Sequence, residues 1–404
     1  MTKIFTNARM LLPGATDLQD GSLTVDGDDI VSGAPNGQPS EEIDCKGQIL
    51  APGIVDLGVF AIDKPAFRFG GITRAALMPD QFPVLDLPAM IKQSAAEGKP
   101  DLWSHPIAAA TTGLRGEQLA EIGLMKRSGA KAVATGRQWI ADSGLMLKLL
   151  QYCKSLDLAV IVHSEDAGLT GDAVATNSET ATRLGLASAT AAAEAIAIAR
   201  DIALVRETGA HVHFRQVTTK AGLDLVRAAK REKLPITCGI TPAHFLLSDI
   251  AISDFRTFAR LSPPLRSEDD RLACIEAIKD GTIDVIASGH DPRGPEDKRL
   301  PYAEAAPGMA GAETLLALSL ILVRDGSISI GRLFELLSTN PARILKVEAG
   351  RLEPGCAADF ILIDEDSPWQ VDARKMAATA GNTPFDRLPV QGRVTAIYKG
   401  GRAY

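Results

Sequence analysis

Three of the six histidines sit where an apolar run gives way to polar residues: His163 in VIVHSED, His213 in AHVHFRQVTT and His290, beside Asp291, in IDVIASGHD. Imidazole and carboxylate groups gathered at strand ends can hold a divalent metal, which polarises a carbonyl and supplies hydroxide near neutral pH. Such a centre needs several donors converging to roughly 2.0–2.2 Å from the ion. The first strand-like run, Ile54 to Phe60 in PGIVDLGVFAIDKP, ends on Gly58 and Phe60. Many metal hydrolases carry a His-x-His pair at that place. Glycine has no side chain to offer and phenylalanine no lone pair.

The elements that would position these residues follow from periodicity. Apolar runs recur at ITRAALM (72–78), AKAVAT (130–135), LAVIVHSED (158–166), AHVHFRQVTT (210–219), PITCGIT (235–241) and IDVIASGHD (283–291). Between them, SGLMLKLLQYCKSL, SATAAAEAIAIARDIALVRETG and AGLDLVRAAKREK space their apolar residues by three and four, as amphipathic helices do. Strand–helix alternation over this length predicts a parallel (β/α)8 TIM-type barrel, residues 51–344, whose functional groups lie at the carboxyl ends of the strands. Both chain ends read differently, as short strands joined by Asp-Gly and Gly-rich turns. Residues 1–50 and 345–404 are therefore expected to assemble one small β-sandwich domain. One crossover is anomalous: between Phe60 and Gly71 only AIDKPAFRFG is available, whereas a parallel return needs a helix of roughly 11 residues plus loops. Either the first barrel helix is missing, or a segment is absent from the sequence.

Composition narrows the function classes. With 404 residues and 46% hydrophobic content the chain can bury a barrel core and a satellite. Its net charge of -7, with acids and bases interspersed, offers no basic face for nucleic acid. No run approaches the ~20 apolar residues of a membrane span, and the first residues lack a signal-peptide pattern, so a cytoplasmic protein is expected. Cys45, Cys153, Cys238, Cys274 and Cys356 have no C-x-x-C spacing and sit mostly among apolar neighbours, which predicts buried free thiols.

Many stretches, in order along almost the whole chain, resemble the class I dihydroorotases, zinc-dependent cyclic amidohydrolases of pyrimidine biosynthesis. They include LAPGIVDLGV, GGITRAALMPDQFPVLD, VIVHSED, HFRQVTT, LSPPLRSEDDR, GTIDVIASGHDP, GMAGAETLLAL, LLSTNPARIL and NTPFDRLPVQGRV. The resemblance implies a ligand set that this sequence largely lacks. Gly58 and Phe60 replace His-x-His, Thr135 and Gly136 lie where the bridging carboxylate or carboxylated lysine belongs, and Gln216 replaces a ligating histidine. Gly289 stands where the family has the aspartate that binds metal and shuttles the proton. His163 is the one clear survivor, while His213 matches a non-ligand histidine. Asp291 would substitute only through a register slip, which keeps its side chain on the same face but a level higher. Substrate recognition differs too: the family's arginine and asparagine that hold the substrate carboxylate become Ile62 and Asp80, and its mobile-loop histidine becomes Arg293.

The losses gather in one cavity while turn glycines, prolines and helix starts persist. The resemblance extends to non-catalytic dihydroorotase-like chains that assemble with bacterial aspartate carbamoyltransferase. It implies a pseudoenzyme that is a structural or regulatory partner of that transferase, a homo-oligomer, with no catalytic residues and no metal. The alternative is an active dihydroorotase or related cyclic-amide hydrolase using zinc at an unorthodox site around His163, His290, Asp291 and Asp80. A third possibility is a small-molecule sensor that uses the relic cavity. Arg266 and Arg293 would serve an anion there, or else structural and surface roles.

Overall fold

The computed structural model describes residues 2–33 and 39–404. Five strands come first: β1 (Thr2–Met10), β2 (Gln19–Asp26), β3 (Asp29–Val31), β4 (Ser40–Asp44) and β5 (Ile49–Pro52). The barrel follows as β6 (Ile54–Val59), β7 (Ile72–Leu77), β8 (Trp103–Ala109), β9 (Ala132–Ala134) and β10 (Val160–Val162). A small parallel pair, β11 (Ala175–Thr176) and β12 (Ser188–Ala189), stands apart. The barrel then resumes with β13 (Val212–Phe214), β14 (Ile236–Ile240) and β15 (Val285–Ile286). The last strands are β16 (Phe360–Gln370), β17 (Pro389–Lys399) and β18 (Arg402–Ala403).

The eight barrel strands pair in the order β15-β14-β13-β10-β9-β8-β7-β6, all in parallel. Sequence periodicity marks seven of them. It misses β8, WSHPIAA, because His105 and Pro106 interrupt the apolar run and proline lacks a ladder N–H. Along the strands side chains alternate between two cores, as the period of two requires. On β10, Val160 and Val162 face the outer helices while Ile161 points inward to meet Val55, Leu57, Ala76 and Ala134. The barrel is closed at the β6–β15 edge by a seam. Phe60 N donates to His290 O at 2.8 Å, Ser288 N donates to Asp56 Oδ1 at 2.9 Å, and Ser288 Oγ donates to Asp56 Oδ2.

The first barrel helix is present, contrary to one alternative drawn from the short connection. It spans Lys64–Gly70, only seven residues. Asp63 caps its start by accepting from Ala66 N, Pro65 occupies the first turn, and Gly71 ends it with a left-handed φ of 75°. Gly70 is required as well, because a Cβ there would lie 2.2 Å from Ala312 O. Ile54 N still reaches Gly71 O at 3.0 Å, so two helical turns suffice to return the chain to β7. The longer outer helices carry ordinary caps: Asp142 accepts from Gly144 N and Leu145 N, and Thr219 accepts from Gly222 N.

Both chain ends build one sheet, β18-β17-β16-β5-β1-β2-β3, with β4 on β1. It is mostly antiparallel, but β4 and β5 run parallel to β1. Its own core gathers Phe5, Phe360 and Tyr398, with ring centroids 4.7–4.8 Å apart. Between sheet and barrel lies a buried ion cluster. Asp359 accepts from Arg74 Nε at 2.9 Å, from Lys399 Nζ at 2.7 and 2.9 Å, and from Gly400 N at 3.0 Å. Burial opposes the charge on Asp359, but Arg74 and Lys399 together hold its carboxyl below the usual range. All five cysteines are buried and free. No helix among the described residues is long and apolar enough to cross a membrane.

Candidate functional site

The carboxyl ends of β6, β9, β10, β13, β14 and β15 meet at one mouth of the barrel, where this fold carries its chemistry. On β6 the register shifts between Leu57 and Val59, and Gly58 adopts φ 109°. A Cβ at Gly58 would lie 3.7 Å from Arg215 Cδ and 3.9 Å from Arg215 Cγ. The stem of Arg215, just past the end of β13, thus fills the space into which residue 58 would project. Its guanidinium goes on to His163, with Nη2 3.2 Å from Nδ1.

A guanidinium only donates, so in this contact Nδ1 accepts and a ring proton belongs on Nε2. Nε2 faces Glu165 Oε2 at 3.2 Å, which takes that proton's hydrogen bond. Both nitrogens are engaged, and neither has a lone pair free for a metal. Burial raises the Glu165 carboxyl, but the His163 hydrogen bond and the charge of Arg266 outweigh it and bring it down to about 2. Arg266, 2.8 Å from Glu165, also donates to Thr218 Oγ1 and lies 3.5 Å from the buried Glu194. Of the two roles open to Arg266, the structure gives it the structural one. Thr135 Oγ1 accepts from His163 N, so it too is occupied.

A second arginine closes the mouth from above. Arg137 Cζ lies 3.7 Å from the Phe60 ring centroid, while Arg215 Cζ lies 5.2 Å from the same ring. Cations over an aromatic face are held by its quadrupole. Arg137 Nη2 also pairs with Asp291 at 2.7 Å, and Arg293 approaches the same carboxylate at 3.2 Å. Arg215 remains a cation at neutral pH: burial, with Arg137 nearby, pulls it down only to about 10. Sequence reasoning did not single out Arg137 and Arg215. Both stand beside vacated ligand positions, in AVATGRQ and HFRQVTT, and that proximity was the available signal.

The other expected pocket residues divide. Gln216, Gly289 and Asp291 line the remaining cavity with Phe60, Arg137 and Arg215. Gly289 has φ 59°, and a Cβ there would lie 3.0 Å from Thr241 Cγ2, so a longer side chain would collide. His290 is a correction. The left-handed turn at Gly289 breaks the strand alternation and rotates His290 away from the mouth into a fully buried niche. There Nε2 faces Asp63 Oδ2 at 3.5 Å, Nδ1 accepts from Ala312 N, and Phe67 packs edge-on at 5.4 Å. Ile62 likewise leaves the pocket and packs on the outer core. Asp80 does not point a charge at an incoming anion: its Oδ1 accepts from Arg137 N at 2.9 Å, while Oδ2 is buried. Gly136 makes room for it, since a Cβ there would lie 2.7 Å from Asp80 Oδ1.

What remains open is about 20 Å³, room for roughly one water, against the ~300–1,000 Å³ of ordinary ligand sites. The donor set does not fit a divalent metal. Gly58, Phe60 and Gly289 offer no donor, His163 is fully engaged, and the cations Arg137 and Arg215 line the same cavity. No group of three or more His, Cys, Asp or Glu side chains able to hold a metal ion occurs among the described residues.

Comparison with known proteins agrees with this architecture. The amidohydrolase family profile matches residues 98–404. The chain is 38% identical to the dihydroorotase of Geobacter metallireducens over 385 residues, covering 91% of this chain and 90% of that protein. It is 34% identical to the dihydroorotase of Syntrophotalea carbinolica over 426 aligned positions, covering 100% of this chain and 98% of that protein. Among solved structures, the L-hydantoinase (dihydropyrimidinase) of Arthrobacter aurescens superposes with a TM-score of 0.88 at 22% identity, over 99% of this chain and 95% of that one. The dihydropyrimidinase of Brevibacillus agri gives 0.85 at 20% identity, over 100% and 95%. The chain belongs to the amidohydrolase family and is dihydroorotase-like.

Proposed function

We propose that this member of the amidohydrolase family is a dihydroorotase-like protein of the pyrimidine pathway that has no hydrolytic turnover and binds no metal. In this reading it acts as a structural or regulatory partner of aspartate carbamoyltransferase, in the cytoplasm and as a homo-oligomer. The observation that carries this absence of turnover is Arg215, whose aliphatic stem packs against Gly58 and whose guanidinium meets His163. Hydrolysis of a cyclic amide needs a polarised carbonyl and a hydroxide, both of which a metal supplies in this chemistry. A buried cation beside the one retained histidine repels the ion and takes up the lone pair it would need. An assembly role asks only for the outer surface of the barrel, and the retained framework serves that purpose.

Elemental analysis and an assay of one preparation test the first half. Purified protein is expected to contain well under one zinc per chain and to leave dihydroorotate unconverted. Stoichiometric metal that survives dialysis, together with ring opening to carbamoyl aspartate, overturns it. Co-expression with the aspartate carbamoyltransferase of the same organism tests the second half, with one larger complex expected on sizing. A transferase that is fully active alone and never co-elutes, whatever the salt, removes the partner role.

A second reading, an active dihydroorotase, draws support from the relatives, whose curated names are dihydroorotase. It requires His163 to leave Arg215, Asp291 to leave Arg137, and His290 to leave Asp63. The same zinc and turnover measurements decide between the two.

A further inference from the structure

A larger cleft lies elsewhere. About 770 Å³ opens between the loop that follows β15 and the connection from β16 to β17. Its walls hold five cations, Arg293, Lys298, Arg299, Arg374 and Arg387, against two carboxylates, Asp372 and Asp386. A local excess of three positive charges in a chain of net charge -7 is a marked inversion of sign.

The charges differ in availability. Lys298 is buried and spends its ammonium on the carbonyls of Thr257, Arg260 and Ala306, so it contributes field but no contact. Arg293 leans on Asp291, yet its Nε is buried and has no partner among the described residues. Arg299 is exposed, and its guanidinium makes no ion pair or hydrogen bond among the described residues. Arg374 and Arg387 touch their acidic neighbours only loosely, at 3.5 and 3.9 Å. Those neighbours are already employed: Asp372 accepts from Arg374 N, and Asp386 accepts from Ala373 N at 2.8 Å.

The cleft is also built rather than incidental. Arg387 is held at φ 69°, a backbone state that costs a non-glycine residue energy. It is pinned there by Arg387 N donating to Val371 O and by Gln370 Nε2 donating to Arg387 O. Asn382, itself buried, ties the two walls together by accepting from Arg293 N and donating to Gly308 O. Phe258 supplies an aromatic surface at one side.

We propose that this cleft binds a phosphorylated small molecule of about nucleotide size, with Arg299, Arg374 and Arg387 engaging phosphate oxygens. Arginine suits this task because its fork of donors matches phosphate geometry. The volume falls within the range of small-molecule sites, and Phe258 offers a face for a ring. The cleft adjoins the barrel mouth through Arg293 and Asp291, and the inference holds whether or not that site turns over.

Calorimetric titration of the full chain with inorganic pyrophosphate and, separately, with ATP tests it. Both probes are expected to bind one per chain, with affinity falling as salt rises. Tighter binding of ATP identifies a nucleotide-like ligand, and equal binding identifies the phosphate group alone as the recognised element. Arg299→Glu and Arg374→Glu, exposed changes checked for folding by circular dichroism, are each expected to weaken pyrophosphate at least tenfold. Arg231→Glu, on the far outer helix Lys220–Arg231, is expected to leave it unchanged. Absence of binding by both probes at low salt, or equal weakening by all three variants, overturns the proposal.

Discussion

Two buried ionic clusters of this protein are finished to different degrees. At the junction of sheet and barrel, both oxygens of Asp359 are met by Arg74, Lys399 and a backbone amide. At the barrel mouth, Arg215 Nε, Asp80 Oδ2 and Gln216 Oε1 are buried without a partner among the described residues. Buried polar groups left unmatched are costly and uncommon. The junction is built as a joint, and every atom in it has a task. The mouth is packed by charged and polar side chains whose hydrogen-bonding groups are not all met.

The contrast predicts graded effects. Asp359→Ala strands two buried cations and is expected to lower stability by about 3–5 kcal/mol, read as a fall in the urea midpoint. A loss near zero there would erase the distinction. Next comes the well-paired half of the mouth. The carboxyl of Glu165 is depressed to about 2 when folded, against about 4.3 unfolded. Its contribution is therefore present in full above pH 4.3 and lost as pH falls through 2. The amount is on the order of 3 kcal/mol, and Arg266→Met should reduce that acid-dependent part in pH-resolved melting. Arg215→Met removes a cation whose bonding is incomplete and leaves His163 Nδ1 without a donor, for an expected loss of about 1–3 kcal/mol. If it proves as damaging as Asp359→Ala, the mouth is as optimised as the junction. The smallest effect is expected from Gly58→His with Phe60→His. Restoring that pair should leave metal content and turnover unchanged, since Gln216 and Gly289 supply neither the histidine nor the carboxylate still needed, and residue 58 sits at φ 109° against the stem of Arg215.

Much of the framework is visible in the chain itself. Apolar runs of the right length mark β6, β7, β9, β10, β13, β14 and β15, because a parallel strand covered on both faces must be apolar throughout. The strand with Pro106 escapes for the same reason, since its pattern is broken. Losses at the mouth are equally visible, because Gly58, Phe60 and Gly289 declare what they cannot ligate. Replacements are not, because an arginine after a strand reads the same whether it faces solvent or folds inward over Phe60. His290 shows a further limit. Its neighbours place it at a strand end, but the positive φ of Gly289, which turns the ring toward Asp63, is a property of the backbone.

The strand order of the terminal sheet has a bearing on how the molecule is made. Phe360–Gln370 lies between Ile49–Pro52 and Pro389–Lys399, so a piece formed early in synthesis waits for one formed much later. Until then the edge of β5 has no neighbour on that side, and Arg74 has no carboxylate. The nascent barrel emerges from the ribosome with an open flank, the stage at which a chaperone or a wrongly paired strand from another chain has its opportunity.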